Sequence, residues 1–448
     1  MWLSLNHFEH QQVMHELSTK WGLFRMKVLM LTHGTRGDVE PFVALALELT
    51  SRGHDVVLFA PASSAPLVKS YDLEFVPVHD TWNALMHEPS IRSGFETNFK
   101  TVKTITAMRK FRRLARQVLD DMTAAVSYNP ELVVCHASGP LHAIAERLRV
   151  PAVIVCPEPV WIPTRAFPNP LIPFRLPTPL NRLSYAATPL WIRGFIGKTT
   201  KWRRKTLGLP RRRHQNNSLR RPDGSHATVL QPFSRHILPD TSDYPDSVHT
   251  TGFWFLPTVS SWVPPKRLSD FIAAGDPPVY IGFGSMAGTD PKETGELIRQ
   301  ATSIAKVRAV VVSGSGGIDL EYESDQRVLS IDQAPFSWLF PRMAAIVHHG
   351  GSGTTGAALL AGRPQVVCPF MNTQHFYAER VHALGISPEP LPQDRLTAHH
   401  LAHRIHRAVN DVELERRAAN MRSLIYTEHG TGRAVKIFES TLNKNAIQ

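Results

Sequence analysis

At 448 residues the chain is too long for one comfortable hydrophobic core, and domain sizes favour two domains of roughly 200 residues each. Its 42% hydrophobic and 20% charged residues exclude a largely disordered chain, and three cysteines, Cys135, Cys156 and Cys368, make neither a disulfide framework nor a zinc site. No eighteen-residue apolar run occurs, and the first 25 residues lack the charged start and apolar core of a signal peptide, so a helical membrane span is excluded and a cytoplasmic location is expected.

Residues 1–25 carry no strand or turn pattern and read as an N-terminal extension before Met26. Strand and helix then alternate. KVLMLT predicts a strand, and Pro41 to Arg52 a helix with Phe42, Leu45, Ala46 and Leu49 on one face; VVLFA and FVPV are further strands. LVVC (132–135) and AVIVC (152–156), separated by a helix from Leu141 to Leu148, are continuous apolar runs suited to a parallel sheet buried on both faces. Between Trp161 and Arg221 the alternation stops, and fourteen Lys or Arg appear with seven aromatics, eight prolines and no Asp or Glu. All of the +12 net charge sits there, because the rest of the chain holds 36 basic against 38 acidic residues.

Strands resume at ATVL and SVHTTGFWF, and the Pro-, Ser- and Lys-rich segment 256–278 predicts an interdomain linker. A second alternating series follows: VYIGFGS, AVVVSG, RVLSI, AAIVHH and QVVCPF. A helical pattern from Leu396 to about Ile425 closes it, leaving 426–448 as a tail. The expected fold is therefore α/β, with two Rossmann-like parallel-sheet domains, 26–255 and 279–425, facing across a cleft. Ligands bind such sheets beyond the carboxyl ends of their strands.

Three loops carry candidate chemistry. H-H-G-G-S-G-T-T-G, His348 to Gly356, follows an apolar strand and opens an Ala/Leu-rich helix. Such a turn makes an anion site, in which the free amides after Gly351 and the positive end of the helix dipole cradle a diphosphate. It lacks the Gly-Lys-Ser/Thr ending of a Walker motif and the ribose-binding acid of a dinucleotide fold. G-T-R-G-D, Gly34 to Asp38, follows the first strand: Gly34 and Gly37 free the backbone, Arg36 can pair with phosphate, and Asp38 is either a general base or a helix cap. G-F-G-S-M, including Ser285, suits backbone contact with a diphosphate or is a plain turn. No Asp-x-Asp pair or His-Glu-x-x-His spacing accompanies these loops, which predicts metal-free chemistry without a cofactor, and no G-x-S-x-G elbow follows a strand.

From Met26 to about Arg422 the chain resembles the sterol 3-beta-glucosyltransferases and bacterial antibiotic glycosyltransferases of glycosyltransferase family 1. The matching stretches, in order, are GTRGDVEPFVALALEL-x₃-GHDV, YDLEFVPV, TRAFPNPLIPF, TGFWF, YIGFGSM and APFSWLFPRMAAIVHHGGSGTTGAALLAGRPQVVCPF. The resemblance implies the GT-B fold and an inverting transfer from a UDP- or dTDP-sugar to a hydroxyl of a hydrophobic acceptor. It implies that Asp38 takes the acceptor proton and that Thr35 and Arg36 lie near the donor phosphates. It further implies that His349, Ser352, Gly353 and Thr354 bind the diphosphate, and that Ala334 holds the base through its backbone. Two positions depart from the family pattern. Thr373-Gln374 replaces an Asp-Gln pair that bonds sugar hydroxyls, and Phe336 stands where a His is usual. A threonine offers one neutral hydroxyl in place of a carboxylate, so the donor is expected to be a deoxysugar or pentose rather than glucose.

The same resemblance places Trp161 to Trp202 over the acceptor pocket, with Trp161, Phe167 and Phe174 as lining residues. Arg203, Arg204, Arg211, Arg212 and Arg213 are candidates for peripheral contact with an anionic membrane, or form a solvated loop. The expected partners are a nucleotide sugar and a hydrophobic small molecule, with no nucleic acid and a monomeric chain. A same-fold epimerase or hydrolase would need further acids near the anomeric carbon. A degenerate, non-catalytic nucleotide- or membrane-binding protein is the reading from a different class.

Overall fold

The computed structural model describes residues 25–80, 103–172, 174, 176–196, 199–284, 290–313, 317–320, 327–370 and 372–446. Strands β1 (Lys27–Leu31), β2 (Asp55–Pro61), β3 (Glu74–Val78), β4 (Leu132–His136), β5 (Ala152–Val155), β6 (Thr228–Gln231) and β7 (Val248–Thr250) form one sheet, in the order β3-β2-β1-β4-β5-β6-β7. A second sheet contains β8 (Val279–Gly282), β9 (Ala309–Val312), β10 (Val328–Ile331), β11 (Ile346–His348) and β12 (Gln365–Val367), in the order β10-β9-β8-β11-β12. Every pairing within these sheets is parallel.

Helices α1 (Arg36–Ser51), α2 (Lys103–Met122), α3 (His142–Leu148) and α4 (Ala187–Ile196) belong to the first half. The second half carries α5 (Lys266–Ala273), α6 (Pro291–Ala305), α7 (Ser352–Ala361), α8 (Asn372–Ala383), α9 (Ala398–Asn410) and α10 (Val412–Tyr426), followed by α11 (Gly430–Ala446). Successive strand residues serve opposite cores. Val28 and Met30 join Phe42, Leu45 and Leu49 of α1 on one face, whereas Leu29 and Leu31 join Ile144 of α3 on the other. Burial on both faces is why these strands read as unbroken apolar runs.

Two local predictions are corrected. The first helix begins at Arg36, five residues before the expected Pro41, because the Thr35 amide donates to the Asp38 carboxylate three residues on, as in a capping box. Pro41 lies inside the helix, where its missing N–H takes the intrahelical donor from the Gly37 carbonyl. In SVHTTGFWF only Val248–Thr250 pairs. At Gly252 the backbone turns left-handed, φ 103°, close against Glu428, where a Cβ would lie 2.7 Å from the Glu428 Cβ.

The halves share a core of their own. Phe167, Tyr185, Phe233 and Phe253 from the first half pack with Leu359, Tyr377, Val381 and Met421 from the second. Beyond α10 the chain returns to the first half, where Ala434, Val435 and Phe438 of α11 enter the core beneath α1.

Candidate active site

In each sheet, strand order reverses beside the first strand, between β1 and β4 and between β8 and β11. A crevice opens at the carboxyl end of such a point, and both candidate loops lie there. In the first half, Asp38 Oδ2 accepts from the Thr35 amide (2.7 Å) and hydroxyl (2.9 Å). Gly34 makes room for this carboxylate: at φ 110° its position leaves no space for a side chain, since a Cβ would come within 2.4 Å of Asp38 Oδ2. Asp38 Oδ1 faces His136 Nε2, at the end of β4, across 3.3 Å, too poorly aligned for a regular hydrogen bond. The Ser138 amide donates to His136 Nδ1, which leaves Nε2 as the ring nitrogen nearest Asp38. Ser138 Oγ bridges His136 Nδ1 (2.6 Å) and His33 Nε2 (3.0 Å).

Burial alone would raise the Asp38 pKa, but the His136 imidazole and the two Thr35 donors outweigh it and hold the carboxyl below its ordinary value. His33 is pushed down to about 4, by burial first and by the neighbouring His136 second. The base candidate is thus ionised. Of the other residues expected here, Arg36 is exposed and donates to Glu40 (2.6 Å), and Gly37 has ordinary room around it.

The second half supplies the anion site. Buried His348 accepts the Gly350 amide at Nδ1 and meets Gln365 Oε1 through Nε2 (2.8 Å), which pins the glycine turn after β11. Gly350 has φ 88°, and a Cβ there would lie 2.9 Å from the Gln374 carbonyl oxygen. Gly351 caps α7 without a side-chain acceptor, and the first helical bond runs from the Thr355 amide to the Gly351 carbonyl (2.9 Å). The amides of Ser352, Gly353 and Thr354 are therefore the unpaired first-turn donors, at the positive end of a ten-residue helix. The His349 ring is wedged between Gly284 and Gly351; its Nδ1 is buried without a partner, and burial lowers its pKa to about 4. An orphaned imidazole nitrogen beside free amides fits an oxyanion ligand.

Residues that the sequence reading missed join the two sites. Glu158, just beyond β5, is within electrostatic reach of both Asp38 and the Tyr377 side chain of α8, and Tyr377 donates to Ser352 Oγ (3.0 Å). Burial, then the Asp38 charge, raises the Glu158 pKa to about 8. His33, His136 and Glu158 all follow or end parallel strands, the positions to which the carboxyl-end rule points.

Elsewhere the structure scatters the expected residues. Trp161 packs on the first sheet's core, Phe167 lies in the shared core against Phe376 of α8 (4.9 Å), and Phe174 is 60% exposed. Phe336 stacks on Phe340 (4.3 Å), and Ala334 packs on the same core. Thr373 sits in the first turn of α8, and Gln374 Oε1 accepts the Phe370 amide (2.8 Å). Ser285 lies outside the described residues. Arg203, expected at a membrane, is 0% exposed and holds Glu146 of α3 in a two-pronged pair (2.8 and 3.0 Å); Arg212 joins the same carboxylate. Among the described residues no group of three or more His, Cys, Asp or Glu is placed to hold a metal ion, and no helix is long and apolar enough to cross a membrane.

Comparison with known proteins bears on these sites. Residues 28–161 match the glycosyltransferase family 28 N-terminal domain, and residues 319–430 match the erythromycin biosynthesis protein CIII-like, C-terminal domain. Two sterol 3-beta-glucosyltransferases of Arabidopsis thaliana are each 32% identical to the chain, over 428 and 431 residues. The matches cover 92% and 93% of this chain and 65% and 68% of the plant proteins, so the chain spans about two thirds of their length. Among solved structures, the glycotransferase of kitacinnamycin superposes with a TM-score of 0.69 at 20% identity, covering 93% of this chain and 99% of that one. The glycosyltransferase VinC, solved with dTDP, gives 0.64 at 18% identity, covering 94% and 100%. These structures share the fold, two facing Rossmann-like halves.

Proposed function

Because the chain belongs to the glycosyltransferase family of the sterol 3-beta-glucosyltransferases, we propose that it transfers a sugar from a UDP- or dTDP-sugar to a hydroxyl of a hydrophobic acceptor, with inversion and without a metal. The observation that carries the proposal is the ionised Asp38 on one half, linked through Glu158 and Tyr377 to the free first-turn amides of α7 on the other. In this reading the acceptor oxygen attacks the anomeric carbon and its proton passes to Asp38. The bond from that carbon to the phosphate oxygen breaks, and its electron pair leaves with the diphosphate. The amides of Ser352, Gly353 and Thr354, with His349, stabilise the growing negative charge, which is stronger in the transition state than in the bound substrate.

Thr373 supports a donor with fewer hydroxyls than glucose, and the acceptor belongs to the sterol, lipid or polyketide-like class. The exposed Leu183 and Leu190, among the cations of the 161–221 stretch, support peripheral contact with an anionic membrane. A mass-spectrometric screen of the purified chain against a panel of nucleotide sugars and hydrophobic alcohols tests the proposal. The expected outcome is a glycoside of inverted configuration, formed faster from a deoxysugar or pentose donor than from UDP-glucose. Tight turnover of UDP-glucose with no use of deoxysugars would overturn the donor assignment. Nucleotide binding with no transfer from any donor would favour the non-catalytic reading.

A further inference from the structure

We propose that the first half carries a second anion site, distinct from the α7 amides: a cavity of about 410 Å³ lined by Thr200, Arg211, Arg212, Arg213 and Gln215, which takes a phosphate monoester. Its charge and its shape both trace to Glu146 of α3. The two oxygens of that carboxylate are held by buried Arg203, at 2.8 and 3.0 Å, and Arg212 reaches the same group at 3.1 Å. Further bonds from Arg212 to the carbonyls of Arg213 (3.4 Å) and Arg221 (3.3 Å) fix this part of the wall. Arg211 and Arg213, its neighbours in the chain, have no acidic partner among the described residues. Four guanidinium groups therefore stand around one carboxylate, and the two unpaired ones line the cavity.

The neutral members of the wall present donors. Gln215 Oε1 already accepts the Arg212 amide (3.3 Å), and Thr200 Oγ1 accepts from Gln215 Nε2 (3.5 Å). The Thr200 hydroxyl proton and the second Gln215 amide proton stay available. A phosphate monoester matches such a wall, since it brings nearly two negative charges and three acceptor oxygens, and planar guanidinium groups meet those oxygens in pairs. The Gln215 carbonyl meets His142 Nε2 at the start of α3 (3.1 Å), and Ser218 donates to the Ala137 carbonyl (3.4 Å), so the wall is built on the loop after β4 and owes nothing to the diphosphate site. A soluble phosphate ester and the headgroup of phosphatidic acid share this chemistry. The exposed Leu183 and Leu190 of the same segment favour the lipid, a source that rests on the membrane contact proposed above.

Flotation on phosphatidylcholine vesicles doped with phosphatidic acid or with phosphatidylserine, matched in surface charge, separates a phosphate site from diffuse attraction, and calorimetry with glycerol 3-phosphate probes the soluble source. The parent chain is expected to bind the phosphatidic acid vesicles about tenfold more tightly, the worth of one further charge-assisted hydrogen bond. Arg211→Gln combined with Arg213→Gln should erase this preference while leaving UDP affinity within about threefold of the parent; both side chains are exposed and unpaired, so the fold should survive. Arg204, exposed but outside the cavity, is the control: Arg204→Gln should weaken both vesicle types alike and keep the preference. Binding of glycerol 3-phosphate by the parent but not by the paired variant, without a vesicle preference, would assign the cavity to a soluble ester. Equal binding to both vesicles with no calorimetric signal, or a preference that survives in the paired variant, would overturn the site. Loss of UDP affinity in that variant would merge the cavity with the nucleotide site and overturn its separateness. Failure to bind either vesicle would remove the membrane contact alone, and calorimetry would then decide the cavity.

Discussion

Asp38 has two structural neighbours that constrain its chemistry in opposite ways. Its place as the third residue of α1 makes it the acceptor for the Thr35 amide, a capping duty, while its free oxygen faces His136. The sequence presented cap and base as alternatives, but the structure leaves one carboxylate able to serve both, because its two oxygens point to different partners. His136 was invisible as a partner, since nothing local in LVVCH ties a strand-end histidine to a residue 98 positions earlier. Its removal gives a prediction. The His136→Ala variant should move the acid limb of the rate profile upward by about one pH unit, the worth of one lost interaction with an ionised group. The sign follows from the depressed folded pKa: the stabilisation is complete above the unfolded value near ~4 and is lost as pH falls through the folded value. An acid limb unmoved by the substitution, read from kcat/KM against pH, would contradict this place for His136.

The elements were legible where their environment is uniform. All twelve described strands fall on predicted ones, most fully at the sheet centres, because a parallel strand covered on both faces demands apolar residues at consecutive positions. Element ends were less legible, since they depend on single contacts such as Thr35 with Asp38 or Gly252 against Glu428. The basic segment shows the same limit at the scale of a loop. Its composition gives no sign that Arg203 and Arg212 are consumed by Glu146, an acid on α3 outside the segment. Arg193, Lys201, Arg204, Arg211 and Arg213 remain exposed, as do Leu183 and Leu190, each 69% accessible. Each such cation is worth ~1 kcal/mol at an anionic lipid surface. Flotation with anionic vesicles should therefore carry the chain upward, and reversing Arg204, Arg211 and Arg213 to Glu should leave it at the bottom. Equal flotation with neutral and anionic vesicles would remove the membrane contact.

Across the whole molecule the sequence conveyed two halves and a cleft but not how the halves are held together. The shared core draws Phe167 and Phe376 together from 209 residues apart, and α11 crosses back to bury Phe438 under α1. Periodicity reports that a helix has an apolar face, not which half will cover it. This joining matters chemically, because it sets Glu158 of the first half, which feels the Asp38 charge, against Tyr377 of the second, which donates to Ser352 at the start of α7. The most direct test of that division of labour is Asp38→Asn, with UDP affinity and sugar transfer measured on the same preparation. An asparagine carbonyl at this third helical position can still accept from the Thr35 amide, so the fold of α1 should survive. Turnover should fall by about 10²- to 10⁴-fold, the usual worth of a general base, with UDP affinity changed by less than about threefold, since the lost group acts on the acceptor's proton. Turnover equal to that of the parent chain would contradict the account.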